Sequence, residues 1–242
     1  QIISRCKEVG VKIVAGGPLF TQEYEEFGDI DHFVLNEAEV TLPRFLKDLE
    51  KGQARRIYTT SEFPDIKKTP VPQWELIDLK RYASMSIQFS RGCPFNCEFC
   101  NVTALLGHRP RLKSAEQIIS ELDALYDRGW RGGVFFVDDN FIGNKAYLKA
   151  HLLPALIQWQ KDRKEIPFNT EASVNLADDP ALMEMMVKAG FDAVFIGIET
   201  PNEESLAECN KQQNRSRDLI ESVKCMQDRK SVVLGMGGGG GG

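Results

Sequence analysis

Phe89-Ser90-Arg91-Gly92-Cys93-Pro94-Phe95-Asn96-Cys97-Glu98-Phe99-Cys100 is the stretch that the rest of the chain has to serve. Its cysteines follow C-x3-C-x2-C spacing, so one short loop can turn three sulfurs toward a common centre. Thiolates are soft donors that suit iron–sulfur clusters and zinc. Three ligands, not four, leave one iron of a cubane without a protein partner, and an open position is what a catalytic metal centre needs. Two other readings stay open here. Cys93, Cys97, Cys100 and His108 could close a zinc site. Two of the thiols could also pair as a disulfide, although the chain shows no secretory signal and cytosolic thiols stay reduced.

Outward from the loop, strands and helices alternate. Ser86-Ile87-Gln88-Phe89 reads as a strand that delivers the cysteines at its carboxyl end. Ser114-Ala115-Glu116-Gln117 is a capping-box start, with Ile118, Leu122, Leu125 and Tyr126 on one helical face and Gly129 as its stop. Val134-Phe135-Phe136-Val137 is a second strand. Residues 144–164 read as a helix kinked or broken at Pro154. Residues 168–174 form a third strand, and Asp179-Pro180 caps a helix with Leu182, Met185, Met186 and Ala189 inward. Ala193-Val194-Phe195-Ile196 is a fourth strand, Thr200-Pro201-Asn202-Glu203 a second capping box with proline at the first helical position, and Val232-Val233-Leu234 the start of a fifth strand. Right-handed crossovers turn this alternation into a parallel, curling sheet. In barrels of that kind the chemistry gathers at the carboxyl ends of the strands. Asp138-Asp139-Asn140, Glu171 with Ser173, and Glu199 fall there. Two of these have a plain alternative: a helix cap for residues 138–140 and a solvent-facing cap for Glu199. Arg91 could tune a cluster or simply be an exposed arginine.

Before the loop, Ile2, Ile3, Cys6 and Val9 recur at helical spacing and Gly10 stops the helix. Val11-Lys12-Ile13-Val14-Ala15 reads as a buried strand followed by Gly16-Gly17-Pro18. His32-Phe33-Val34-Leu35 is a second strand, and a helix over residues 41–51 ends at Gly52. The order belongs to a parallel α/β sheet. A glycine pair after a strand lets a ligand approach the backbone, or is a plain turn. Pro64, Pro70 and Pro72 mark a linker over 61–84, with Trp74, Leu76, Ile77 and Leu79 pinning it to a domain surface. The expected organisation is residues 1–60, that linker, a catalytic domain over 85–236 and a disordered glycine tail at 237–242.

Composition bounds the function. A chain of 242 residues allows one or two domains at roughly 100–200 residues each. The formal net charge of −5, with no dense basic block, argues against a general DNA binder. No apolar run approaches the roughly 18 residues that span a bilayer. Cys6, Cys209 and Cys225 read as small hydrophobes. A cytoplasmic setting is expected from the reduced thiols.

The cysteine loop is the signature of the radical SAM superfamily. The runs Val137-Asp138-Asp139-Asn140-Phe141-Ile142-Gly143-Asn144-Lys145, Thr170-Glu171-Ala172-Ser173-Val174-Asn175-Leu176-Ala177 and Gly197-Ile198-Glu199-Thr200-Pro201 resemble its cobalamin (B12)-dependent family. Within that family they are similar to the group of the hopanoid C-2 methylase and its uncharacterised relatives. The resemblance implies an α/β fold: a partial (β/α)6 radical SAM barrel preceded by part of a Rossmann-like cobalamin-binding domain. It implies a [4Fe–4S] cluster on Cys93, Cys97 and Cys100, the candidate catalytic and metal-ligating residues, with S-adenosylmethionine chelated at the fourth iron. Phe99 would lie near the adenine. Asp138, Asp139 and Asn140 stand where many members carry Gly-Gly-Glu and would hold the methionine amino group, a carboxylate on an ammonium. Glu199 would contact the ribose or carboxylate side, Glu171 is a further cofactor contact, and Gly16 and Gly17 would line the nucleotide tail of cobalamin. The Asp-x-His-x-x-Gly motif of that cofactor's axial ligand is not in this chain. The implied activity is reductive cleavage of S-adenosylmethionine to a 5′-deoxyadenosyl radical, and cobalamin-dependent methylation of an unactivated carbon on a small-molecule or lipid substrate. A donor such as flavodoxin or ferredoxin would supply the electron. Rival readings are a radical SAM enzyme of another type, acting by sulfur insertion or rearrangement on RNA or peptide, and a non-catalytic metal-binding fragment.

Overall fold

The computed structural model describes residues 1–163 and 165–228. The expected strand at Val232-Val233-Leu234, the glycine run 237–242 and Lys164 lie outside the described residues. The chain forms two compact units, Gln1–Asp65 and one beginning at Ile66.

In the first unit, strands β1 (Val14–Gly16), β2 (His32–Val34) and β3 (Ile57–Tyr58) make a parallel sheet in the order β1-β2-β3. Helix Ile2–Glu8 precedes β1, and helices Pro18–Glu23 and Ala38–Glu50 connect the strands. Ala15, Ile30, Phe33 and Leu35 form a core on one side, and Val34, Phe45 and Tyr58 a second cluster. The expectation of a buried strand over residues 11–15 is corrected. The strand starts at Val14, and Val11 and Val14 are exposed, because β1 is an edge strand that turns only Ala15 inward. The short helix Pro18–Glu23 and the two-residue β3 carry too little periodicity to be read beforehand. Gly16 has a packing reason of its own: a Cβ there would stand 2.5 Å from the Val34 carbonyl oxygen. Gly17, at φ +94, turns the chain from strand to helix in a conformation that favours glycine.

In the second unit, residues 66–82 are not loose. Turns Ile66–Lys68, Trp74–Leu76 and Leu79–Arg81 follow one another, and Trp74, Ile77 and Leu79 pack on the main core. Leu76, expected to pin the stretch, is 75% exposed. The main sheet is β4 (Ser84–Ile87), β7 (Gly133–Phe136), β8 (Phe168–Ala172) and β9 (Phe191–Ile196), all parallel and in that order. The first strand lies two residues earlier than expected, with Met85 and Ile87 inward and Ser86 outward. Two short antiparallel strands, β5 (Ser90–Arg91) and β6 (Arg111–Leu112), bracket the cysteine loop. Phe136 at the end of β7, Phe168 and Phe191 at the starts of β8 and β9, and Phe141 are fully buried, and five pairs of their rings lie 5.0–5.5 Å apart. Such pairs add about 0.5–1.5 kcal/mol each beyond the area they bury.

The helix expected over 144–164 is a succession: a 3-10 turn at Phe141–Asn144, a short helix, a π-turn at Leu148–Leu152 and helix Leu153–Lys161. Pro154 sits in the first turn of the last piece, where a missing N–H is tolerated. Helix Ala115–Asp127 has its capping box, both bonds made. In helix Pro180–Lys188, Met183 and Met186 are the buried methionines and Met185 is half-buried. The second capping box is corrected. Asn202 caps helix Glu203–Glu208, accepting from Ser205 N at 2.9 Å, so Pro201 precedes the cap. Glu203 does not reach back, because its carboxylate accepts the Ser216 N–H at 2.8 Å.

Candidate active site

The cysteine loop is placed from below and from the side. Gly92 has φ +98, and a Cβ there would lie 2.8 Å from Gly107 O and 3.1 Å from both Arg109 O and Leu106 O. Only glycine enters Cys93 this way. The Cys93 N–H donates to Gly107 O at 3.3 Å. Asp138, directly after β7 and Val137, accepts the backbone N–H groups of Phe89, at 3.1 Å, and of Ser90. Its carboxyl is buried, and that burial pushes it up to about 7 against the pull of those donors toward the charged form. Asp138 therefore ties the strand to the loop from behind, and it is not among the side chains that line the cavity in front.

That cavity, about 240 Å³, opens at the carboxyl ends of the strands. Cys93, Cys97 and Cys100 line it from the loop, Asp139 and Asn140 from the end of β7. Glu171 and Ser173 line it from β8, Gly197 and Glu199 from beyond β9. Phe99 borders it with its ring exposed. One space thus collects the three cysteines, Phe99, Asp139, Asn140, Glu171, Ser173 and Glu199; Asp138, Arg91 and His108 are not in its lining. Gly16 and Gly17 belong to the first unit.

Two of the acids in the cavity, Asp139 and Glu171, lack the compensation that Lys211 gives Glu199. Glu171 is half-buried; burial first, then the charge of Asp139, pushes its carboxyl up. Asp139 faces solvent, and partial desolvation raises its carboxyl as well. A cationic group between them would relieve both. Asn140 is buried, and its Oδ1 accepts from the Ser173 N–H at 3.2 Å and hydroxyl at 3.3 Å. Its amide also neighbours Cys93. Burial pushes the Cys93 thiol up, against the Phe95 N–H and this amide.

Reasoning from motifs missed the segment that closes the far side. Lys211 is buried and pairs with Glu199, and its Nζ lies 5.4 Å from the Phe99 ring centroid. Glu199 has φ +64, and a Cβ on Gly197 would stand 2.7 Å from its Oε1 and 2.8 Å from Lys211 Nζ, so Gly197 makes room for the pair. Gln213 brings Nε2 to 3.6 Å from Cys97 Sγ, while its Oε1 is buried without a hydrogen-bond partner. Asn214 donates to Gly197 O at 3.1 Å and Ile198 O at 2.8 Å. Glu98 N donates to Cys209 O at 3.0 Å, and Asn210 Nδ2 to Asn96 O at 2.7 Å. The available signal was an unbroken polar run, Asn210 to Asn214, with no apolar periodicity to make it a helix face.

The three cysteines are not in disulfides. Among the described residues no three His, Cys, Asp or Glu side chains converge tightly enough to hold one metal ion. A cubane takes each thiolate at a different iron, and the three thiols around one cavity fit that donor set. The uncompensated acids and the orphaned Gln213 oxygen fit a small ligand that carries an ammonium and further N–H or O–H donors.

A family model described as the Radical SAM superfamily matches residues 87–241. An uncharacterized methyltransferase of Synechocystis is 49% identical over 224 residues, covering 91% of this chain and 42% of that protein. The hopanoid C-2 methylase of Rhodopseudomonas palustris is 36% identical over 247 residues, covering 98% of this chain and 46% of that one. The chain thus spans less than half the length of these relatives. Among solved structures, the cobalamin-dependent S-adenosylmethionine radical enzyme OxsB with aqua-cobalamin bound superposes with a TM-score of 0.77 at 20% identity, over 97% of this chain and 38% of its own. The radical S-adenosylmethionine methyltransferase TsrM from Kitasatospora setae, with cobalamin and a [4Fe–4S] cluster bound, gives 0.73 at 16%, over 97% and 53%. At such identities the likeness is one of fold.

Proposed function

Because the chain belongs to the Radical SAM superfamily, we propose that Cys93, Cys97 and Cys100 hold a [4Fe–4S] cluster at which S-adenosylmethionine is reductively cleaved, in the service of cobalamin-dependent methylation of an unactivated carbon. One observation carries this: three thiols from one loop face the same cavity as acids from the ends of three successive parallel strands. When bound, the cluster supplies one electron, S-adenosylmethionine the oxidant for hydrogen removal, and methylcobalamin the methyl group.

The chain's own residues bind and orient. Asp139 and Glu171 offer carboxylates to the ligand's ammonium, the charge-assisted kind of contact. Glu199 accepts hydroxyls, and Lys211 holds it in place. The exposed face of Phe99 offers an apolar bed for an adenine. Asn140, locked by Ser173, faces the cysteines. The first unit, with Gly16 and Gly17 at the end of β1, is proposed as part of a cobalamin-binding domain. Support for methylation comes from the two relatives, one a methyltransferase and one a methylase. A hopanoid or other lipid substrate rests on the second of these alone, and a flavodoxin or ferredoxin as donor on the need for an outside electron. Among the described residues no helix is long and apolar enough to cross a membrane.

Reconstitution without air tests the reading. Four irons per chain, with 5′-deoxyadenosine released on reduction, are expected, and Cys97→Ala should hold no cluster. One zinc per chain and no cleavage would reject it. Labelled S-adenosylmethionine should pass label into product; deoxyadenosine without a methylated product would assign another radical reaction.

A further inference from the structure

We propose that Gln213 sets the reduction potential of the cluster by donating a hydrogen bond from Nε2 to the sulfur of Cys97, 3.6 Å away. This rests on the cluster assignment above and adds a role to a residue outside the cysteine loop. A thiolate on iron has no proton to give, so only the amide's N–H edge is attracted to it. With that edge turned to sulfur, the Oε1 of Gln213 is buried and unpartnered. The side chain is placed by its neighbours: Asn214, fully buried, is bonded to Gly197 and Ile198, and Lys211 is paired with Glu199. Gln213 sits between these anchors in the turn Gln212–Asn214.

One-electron reduction adds negative charge that spreads over the cluster and its sulfurs. A donor aimed at a sulfur stabilises the reduced form more than the oxidised one, and hydrogen bonds to sulfur are among the features that set cluster potentials. Such positioning groups leave the iron count alone and move its energetics.

The experiment is a mediated redox titration of the reconstituted full chain, followed by electron paramagnetic resonance, without S-adenosylmethionine. Gln213→Leu removes the donor at similar bulk. Poised at the wild-type midpoint, its reduced-to-oxidised ratio should fall about tenfold, equivalent to a midpoint about 59 mV lower for a one-electron couple. Gln213→Glu, which is isosteric and adds negative charge, should fall at least as far, and it carries the test if the leucine variant does not fold. Four irons per chain should remain in both. An unchanged ratio with the cluster intact overturns the proposal, as does loss of iron from both variants, which would make the contact structural. Failure of the wild type to assemble any cluster would overturn the assignment beneath it, an outcome distinct from either.

Discussion

Gly92 and Gly129 both stand in the left-handed region, at φ +98 and φ +91, yet they differ in surroundings. A Cβ at Gly92 would crowd three carbonyl oxygens, whereas nothing lies within 4 Å of one at Gly129. Gly129→Ala should therefore lose only the backbone term, about 1 kcal/mol, and Gly92→Ala about 2–4 kcal/mol. Urea unfolding of the pair separates strain from crowding, and the iron content of reconstituted Gly92→Ala should fall as well; equal losses in the two variants would mean the loop backbone can shift aside. Asp139 makes a second prediction. Losing a charge-assisted bond to an ammonium costs about 1.5–3 kcal/mol, so Asp139→Ala should weaken S-adenosylmethionine binding roughly 10- to 100-fold. Equilibrium dialysis with labelled S-adenosylmethionine reads this, and unchanged affinity would return Asp139 to the status of an exposed turn residue. That the cysteines, the acids at 139, 171 and 199 and the aromatic at 99 border one cavity was legible because short motifs carry them. That Asp138 does not line it was not legible: a motif names positions, and adjacent residues on a turn point opposite ways.

At the level of elements, Asp138 joins β4 and β5 to the end of β7 through two backbone donors. Its folded pKa, about 7, lies above the ordinary value near 3.9 of an unfolded chain. Between those values the folded state holds more protons, so this group's contribution is fully present below about pH 4, declines as pH rises, and is gone above about 7. The whole span is at most on the order of 4 kcal/mol. Asp138→Asn keeps one acceptor and cannot titrate. It should be less stable than wild type at pH 5 by about 1–3 kcal/mol, with the gap narrowing at pH 8. Urea titrations at the two pH values check it; a constant gap would show that the carboxyl is ionised throughout. Legibility follows range. The Ser114 cap could be read because its partner is Gln117, three residues on, whereas the donors of Asp138 lie 48 and 49 residues away. Asn202 was passed over for Thr200 because the choice depends on where Glu203 bonds, and that partner, Ser216, comes from outside the helix.

Taken as a whole, the second unit closes its site with two segments more than 100 residues apart in sequence: the cysteine loop and residues 209–214. The order of the main sheet was legible because β4, β7, β8, β9 and the longer helices between them signal themselves locally; the closure was not, since its bonds are amides and carbonyls with no periodicity. Yet the closure decides whether the loop is formed before any cluster binds. Glu98 N is held by Cys209 O, and Asn96 O by the side chain of Asn210, which itself sits at φ +54. Asn210→Gly keeps that backbone conformation easy and removes the bond to Asn96 O, together with an exposed one from Gln212 Nε2. One such bond is worth about 1 kcal/mol, so local opening of the loop should become about fivefold more frequent. Hydrogen exchange on the apo chain should show this at the Glu98 and Cys100 amides, while amides of β7, β8 and β9 keep their protection. If loop amides exchange at the wild-type rate, the loop stands without the later segment, and the two halves of the site meet only through the ligand they share.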